Sequence, residues 1–134
     1  PITVSGLTNG VSYVCVVSAI NDEGTSSNSE LSAPFTPVAP PSAPQITSIE
    51  PGNAQVFISV SVADDGGSPI TGYNAYCFGD TFYFGVNPTS PITVSGLTNG
   101  VSYVCVVSAE NDIGTSTLSA VSAPFTPVAP PPGC

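Results

Sequence analysis

Nineteen residues, PITVSGLTNGVSYVCVVSA, occur at Pro1–Ala19 and again at Pro91–Ala109, so the chain contains a repeat with a period of 90. The register holds through Pro41 and Pro131. Only six pairs differ: Ile20/Glu110, Glu23/Ile113, Ser27/Thr117, Asn28/Leu118, Glu30/Ala120 and Leu31/Val121. A fixed period of this length marks an array of similar modules, each a supersecondary unit of its own. Read this way, the chain enters in the middle of one repeat. It holds the back part of one module and then one whole module, a window on a longer array.

Composition removes whole classes of function. The 134 residues include no Lys, Arg, His, Met or Trp, and nine acidic side chains give a formal charge of −9. Nucleic-acid binding relies on Lys and Arg to neutralise phosphates, and attraction to anionic lipid needs the same cations, so neither partner fits. Without histidine there is no nucleophile–histidine pair. Without lysine no side-chain isopeptide can form. No run of about 18 apolar residues is present to span a membrane. No signal peptide is visible, which reads as a processed or internal piece.

Period-2 alternation dominates the rest. In residues 1–33, Ile2 and Val4, then Tyr13, Cys15, Val17 and Ala19, alternate with Thr3, Val14, Val16 and Ser18, the pattern of strands with a buried face. Asn9-Gly10 and Asn21-Asp22-Glu23-Gly24 are turns, since Asn and Gly take positive φ readily. A three-stranded meander cannot close a core alone, so this half needs a partner sheet. Residues 34–44 (PFTPVAPPSAP), with five prolines in eleven, read as a stiff polyproline linker. The same FTPVAPP recurs at Phe125–Pro131, and 128–134 reads as a Pro-rich tail.

Residues 45–127 read as a complete unit. Gln45–Glu50 is predicted as an edge strand closed by a Pro51-Gly52 turn. Val56, Ile58, Val60 and Val62 alternate with Phe57, Ser59 and Ser61 as a central strand. The Asp64–Pro69 loop follows, then strands over Ile70–Phe78 and Thr81–Val86, and the repeated meander. Short strands every 8–12 residues, with Gly, Pro and Asn turns between them, argue for an all-β, two-sheet sandwich.

Three motifs now stand together: Gly66-Gly67-Ser68-Pro69-Ile70-Thr71-Gly72-Tyr73; Leu97-x-x-Gly100-x-x-Tyr103; and Val107-x-Ala109-x-Asn111-x-x-Gly114. In combination they resemble the fibronectin type III domain, in particular its secreted bacterial tandem-repeat form. The resemblance covers 43–127 in full and 1–33 as strands E, F and G of a preceding module. It implies a seven-stranded immunoglobulin-like sandwich, with Leu97 and Tyr103 forming a tyrosine corner whose hydroxyl bonds upstream backbone. The family usually carries a Trp on strand B, where alternation here places Val60. That core should be lighter, with Tyr73 and neighbouring aromatics filling space.

In this architecture strands C and F are antiparallel neighbours, and their inward residues are Tyr73, Ala75, Cys77 and Tyr103, Cys105, Val107. Cys77 and Cys105 then share a core layer, and a cross-strand disulfide is expected, contributing about 3 kcal/mol in the loop-entropy model. The alternative is two buried free thiols. The bond implies a secreted, extracellular or cell-surface setting. By the same register the partner of Cys15 falls before the chain begins. Cys134 has no counterpart in the first copy, and it reads either as an intermolecular crosslink or as a chance end.

Other sites weigh less. Asp64-Asp65 beside two glycines could take calcium, but a solvated turn is the better reading, and no metal or cofactor site is expected. Asp80, Glu110 and Asp112 read as exposed charges. Phe78, Phe82, Tyr83 and Phe84 read as core and edge packing, with a carbohydrate or protein contact as the lesser alternative. No two carboxylates are placed across a cleft as glycoside hydrolysis requires, so no catalysis is expected.

The functional expectation is a non-catalytic structural repeat in an extracellular fibre, sheath or stalk, with further copies of itself as partners. The half-module could be completed by strand complementation from upstream residues or from another molecule. The alternative is an adhesin-type binding module or a spacer in a secreted polysaccharide-degrading enzyme, with an unnamed glycan or protein ligand.

Overall fold

Val56 and Ile58 set the core by facing inward from one strand, and Ala75 and Cys77 answer them from another. The computed structural model describes residues 1–130. In chain order its strands are β1 Ile20–Asn21, β2 Gly24–Thr25, β3 Gln45–Gly52, β4 Gln55–Ser61, β5 Gly72–Phe78, β6 Phe82–Asn87, β7 Ile92–Ser95 and β8 Val104–Glu110. Among the described residues no helix forms. Two antiparallel three-stranded sheets, β3-β4-β7 and β6-β5-β8, face each other as a β-sandwich, and β1-β2 is a separate short hairpin.

The core lies between the sheets. Val56, Ile58, Ile92 and Val94 come from one inner face, and Ala75, Cys77, Cys105 and Val107 from the other, all with 0% exposure. Leu97, Tyr103 and Phe125 complete the cluster, and Ile46, Ile49, Val60, Tyr73 and Tyr83 pack against it partly buried. Val60, where the family usually carries a tryptophan, is thus partly buried at the margin of the core.

Four expectations need correction. The β3–β4 turn lies at Asn53-Ala54, not Pro51-Gly52, because Pro51 pairs with Val56 and Gly52 with Gln55. Proline fits there because β3 is an edge strand and its missing N–H faces no neighbour. Ala54 takes the positive φ (57°) that the two-residue turn demands.

Residues 1–33 form ladder only at β1 and β2. Ile92 and Val94 become strand because β4 pairs with them (Ile58↔Ile92, Val56↔Val94). Ile2 and Val4 are the same residues without a β4, and they remain 72% and 61% exposed.

The segment after β8 is not a regular seventh strand. Among the described residues its only bridges are Glu110↔Thr115 and Tyr103↔Phe125. Between them it bonds to β8 at every third residue, as described below.

The 34–44 stretch, finally, was expected to be a linker throughout, but its first residues bond to the half-module before it. Phe35 bridges Tyr13, and the Gly10 N–H donates to the Pro37 carbonyl at 2.9 Å. Pro41 and Pro44 are buried. Phe35–Pro37 therefore belongs to the first half-module, as Phe125–Pro127 belongs to the second, where Phe125 and Pro127 are buried.

Candidate functional site

Register explains the first bracing element. On β5 and β8, Cys77 stands directly opposite Cys105 with both side chains inward. The α-carbons are 4.1 Å apart and the sulfurs are joined as a disulfide. The pair lies within one sheet and ties the neighbouring strands β5 and β8 to each other. Cys15, the counterpart of Cys105, carries a free thiol among the described residues and is half-buried. Cys134 lies outside the described residues.

Tyr103 builds the second. Its hydroxyl accepts the Thr98 N–H at 2.9 Å and donates to Asp80 Oδ1 at 2.8 Å. Leu97 is buried beside it in the same cluster. Asp80, read from sequence as a bare loop charge, is exposed but accepts from three groups. Thr98 Oγ1 donates to Oδ2 at 3.0 Å and the Thr81 N–H to Oδ1 at 2.8 Å. The Tyr103 bond, together with those from Thr98 and Thr81, holds the Asp80 carboxyl below its ordinary value against a partial desolvation. Burial lifts the Tyr103 phenol above its ordinary value. Gly79 leaves the room: a Cβ there would sit 2.6 Å from Tyr103 Cε1. Tyr13 repeats the Thr8 bond at 2.9 Å in the first copy.

The third element has no counterpart in the expected ladder. The N–H groups of Cys105, Val107 and Ala109 each donate to the Oγ of Ser122, Ser119 and Ser116 at 2.9 Å. Their carbonyls accept the N–H groups of the same serines at 2.8 Å. Each serine therefore satisfies both backbone groups of one β8 residue. Its hydroxyl proton goes on to the next carbonyl, at Ala123, Ala120 or Thr117.

Three residues of this segment cover what two cover on β8, so it advances about 2.2 Å per residue where a strand advances about 3.3 Å. A period of three cannot make a continuous two-residue ladder. Ser32, Ser29 and Ser26 repeat the pattern on Cys15, Val17 and Ala19. Sequence held one signal of it: of the six differences between copies, the last four fall between these serines and none on them.

The half-module meets the complete one at a defined junction. Ala39 N–H donates to the Gly66 carbonyl at 2.9 Å, and Ser42 N–H to the Asp64 carbonyl at 2.8 Å. Asn111 is buried and its Nδ2 donates to two carbonyls, Ala39 and Asp65, at 2.8 Å each. Its Oδ1 accepts the Ile113 and Gly114 N–H groups at 2.9 and 3.1 Å. Gly66 and Gly67, at φ 77° and 85°, bring their loop onto the 39–40 backbone and onto the Asn9-Gly10 turn. Asp64 and Asp65 accept the N–H groups of Gly66 and Gly67 at 2.9 Å, so each shapes its own loop.

The remaining surface divides by alternation. Tyr83 points inward, edge-on to Tyr103 at 5.7 Å. Phe78, Phe82 and Phe84 instead stand exposed on the outer face, where Tyr76 stacks with Phe82 and Phe84 at 5.9 and 6.4 Å. An open groove of about 790 Å³ runs between β3 and residues 120–125, lined by side chains such as Ile46, Ile49, Val121 and Phe125 and by no carboxylate. Among the described residues no group of three or more His, Cys, Asp or Glu is placed to hold a metal ion.

The chain has 35% identity over 118 residues to the Kelch domain-containing protein SSO1033 of Saccharolobus solfataricus, covering 85% of this chain and 16% of that protein. It has 34% identity over 150 residues to Endoglucanase B of Cellulomonas fimi, covering 99% of this chain and 14% of that enzyme. The chain thus spans only about one-sixth of the length of these curated relatives. No family model matches it.

Among solved structures, the twitchin kinase region from C. elegans (Fn31-NL-kin-CRD-Ig26) matches with a TM-score of 0.57 and 26% identity, over 67% of this chain and 17% of that one. Titin domains A168–A170 match with a TM-score of 0.55 and 23% identity, over 93% and 44%. The two-sheet fold and these likenesses define the class: an immunoglobulin- and fibronectin III-like β-sandwich module.

Proposed function

We propose that this is a fibronectin type III module repeated in tandem, and that it serves as a non-catalytic structural bead in an extracellular fibre, sheath or stalk. The observation that carries the reading is the junction. The 90-residue repeat is joined through a bonded contact rather than a loose tether. Within the complete module the disulfide, the Tyr103–Asp80 contact and the serines at every third position tie β8 to its neighbours. The Cys77–Cys105 bond favours an oxidising compartment, and similarity to a stretch of Endoglucanase B supports a secreted setting.

Imaging of native material by electron microscopy tests the proposal. Ordered filaments with an axial repeat matching one module are expected, and globular monomers only would overturn it.

A second reading has its own support. The outer-face aromatics Tyr76, Phe78, Phe82 and Phe84 lie together, and Endoglucanase B shares 34% identity with this chain. As a spacer or binding module beside a polysaccharide-degrading domain, the chain would retain an insoluble β-glucan through that face. A pull-down on cellulose with wild type and Phe84→Ala discriminates: retention lost in the variant favours the second reading, and no retention of either favours the first.

A further inference from the structure

We propose that the Thr98–Gly100 turn and the Phe125–Pro130 segment form a docking face for the Asp64–Gly67 loop and the Asn111 side chain of a further copy of this module. The inference deepens the tandem-repeat reading and rests on it.

The junction has a receiving side and an entering side. The receiving side is the Asn9-Gly10 turn with residues 35–40. The entering side is Gly66, Gly67, Asn111 and Gly114 of the complete module, with the Pro40 ring against Gly114.

The complete module carries its own receiving side, with the same residues and the same bonds. Gly100 N–H donates to the Pro127 carbonyl at 2.9 Å, as Gly10 does to Pro37. Val101 N–H donates to Thr98 at 3.3 Å, as Val11 does to Thr8. Tyr103 stacks on Phe125 at 6.0 Å and 27°, as Tyr13 stacks on Phe35 at 6.1 Å and 30°. In the first copy this surface is occupied and Ala39 is half-buried; in the second, its counterpart Ala129 is exposed. Ala129 is the counterpart of Ala39, whose carbonyl takes the Asn111 amide proton.

Steric demands identify the partner. A Cβ on Gly67 would lie 2.9 Å from Gly10 Cα and 3.0 Å from the Asn9 carbonyl carbon, and one on Gly66 would lie 2.8 Å from the Pro40 oxygen. The entering loop must therefore be Gly-Gly in the positive-φ conformation, followed by an amide donor at the Asn111 position. This module supplies both. The contact is head-to-tail, so each docked copy presents a further receiving side to the next.

The test appends a second copy of residues 42–131 after Pro131 of the full chain, which keeps the period of 90. Residual dipolar couplings of the two complete modules are then measured. One shared alignment tensor is expected. The Asn111→Asp change, made in the appended copy, keeps the acceptor for the 113 and 114 amides but replaces the donor, so the shared tensor should be lost. Amide shifts within each module and the mass of the oxidised chain verify that both still fold.

Independent tensors in the unsubstituted chain would overturn the proposal. So would a shared tensor that survives both Asn111→Asp and Gly67→Ala in the appended copy. Absence of native filaments would sink the fibre reading and leave the docking face standing. Independent tumbling would do the reverse.

Discussion

The Tyr103 hydroxyl donates to Asp80 Oδ1 at 2.8 Å, so a buried phenol on the rim of the core is held by an exposed carboxylate from the β5–β6 turn. The same oxygen accepts the Thr98 amide. Tyr103→Phe removes both bonds while leaving the ring packing, and about 1–2 kcal/mol of stability should be lost. Urea unfolding of the two proteins measures it; an unchanged midpoint would mean that the hydroxyl contributes only position.

The pH dependence has two arms of known sign. Asp80 has its carboxyl lowered, chiefly by the Tyr103 bond. Its stabilising contribution is therefore full above the unfolded carboxylate value of about 3.9 and disappears as pH falls through the lower folded value. Tyr103 is raised, chiefly by burial. Its contribution is full below about pH 10 and disappears as pH rises through the higher folded value. Asp80→Asn should flatten the acid arm of the stability curve between wild type and variant. Parallel acid arms would sink the assignment.

Removing the Ser119 hydroxyl strands a buried amide. Ser119 is itself buried and accepts from the Val107 N–H, whose residue has 0% exposure. Ser119→Ala should cost about 1–3 kcal/mol and raise amide exchange at Val107. Thr117→Ala, one of the intervening positions, should stay within about 0.5 kcal/mol. Equal effects of the two would refute the three-residue rail.

Opening the disulfide loosens the bead. The Cys77→Ala, Cys105→Ala double variant should lose about 3 kcal/mol on the loop-entropy model, read as a lower melting temperature that added reductant does not shift further. Peptide mapping after alkylation of the native oxidised protein should find label on Cys15 and none on Cys77 or Cys105. Label on Cys105 would contradict the pairing.

Much of this architecture could be read from residue order. Alternation at Val56–Val62 and over Ile70–Phe78 located the central strands, because a side chain's face in a strand depends only on parity. Parity also brought Cys77 and Cys105 to one layer, once the resemblance made their strands neighbours. Asp80 is exposed as expected, but its partners were not legible, because its acceptors are used by Thr98 and Tyr103, 18 and 23 residues away. Strand assignments over Ile2–Val4 failed because a ladder needs a neighbour, and pattern alone does not supply one.

By itself the sequence determined the period of 90, the absence of basic side chains and the set of positions able to face a core. These follow from local chemistry, which each residue carries wherever it sits. Tertiary structure alone decided that serines at every third position would take up both backbone groups of β8, and that residues 35–40 would dock on the Gly66-Gly67 loop. Both depend on which distant backbone polar groups come to lie opposite one another, and only the folded chain fixes that.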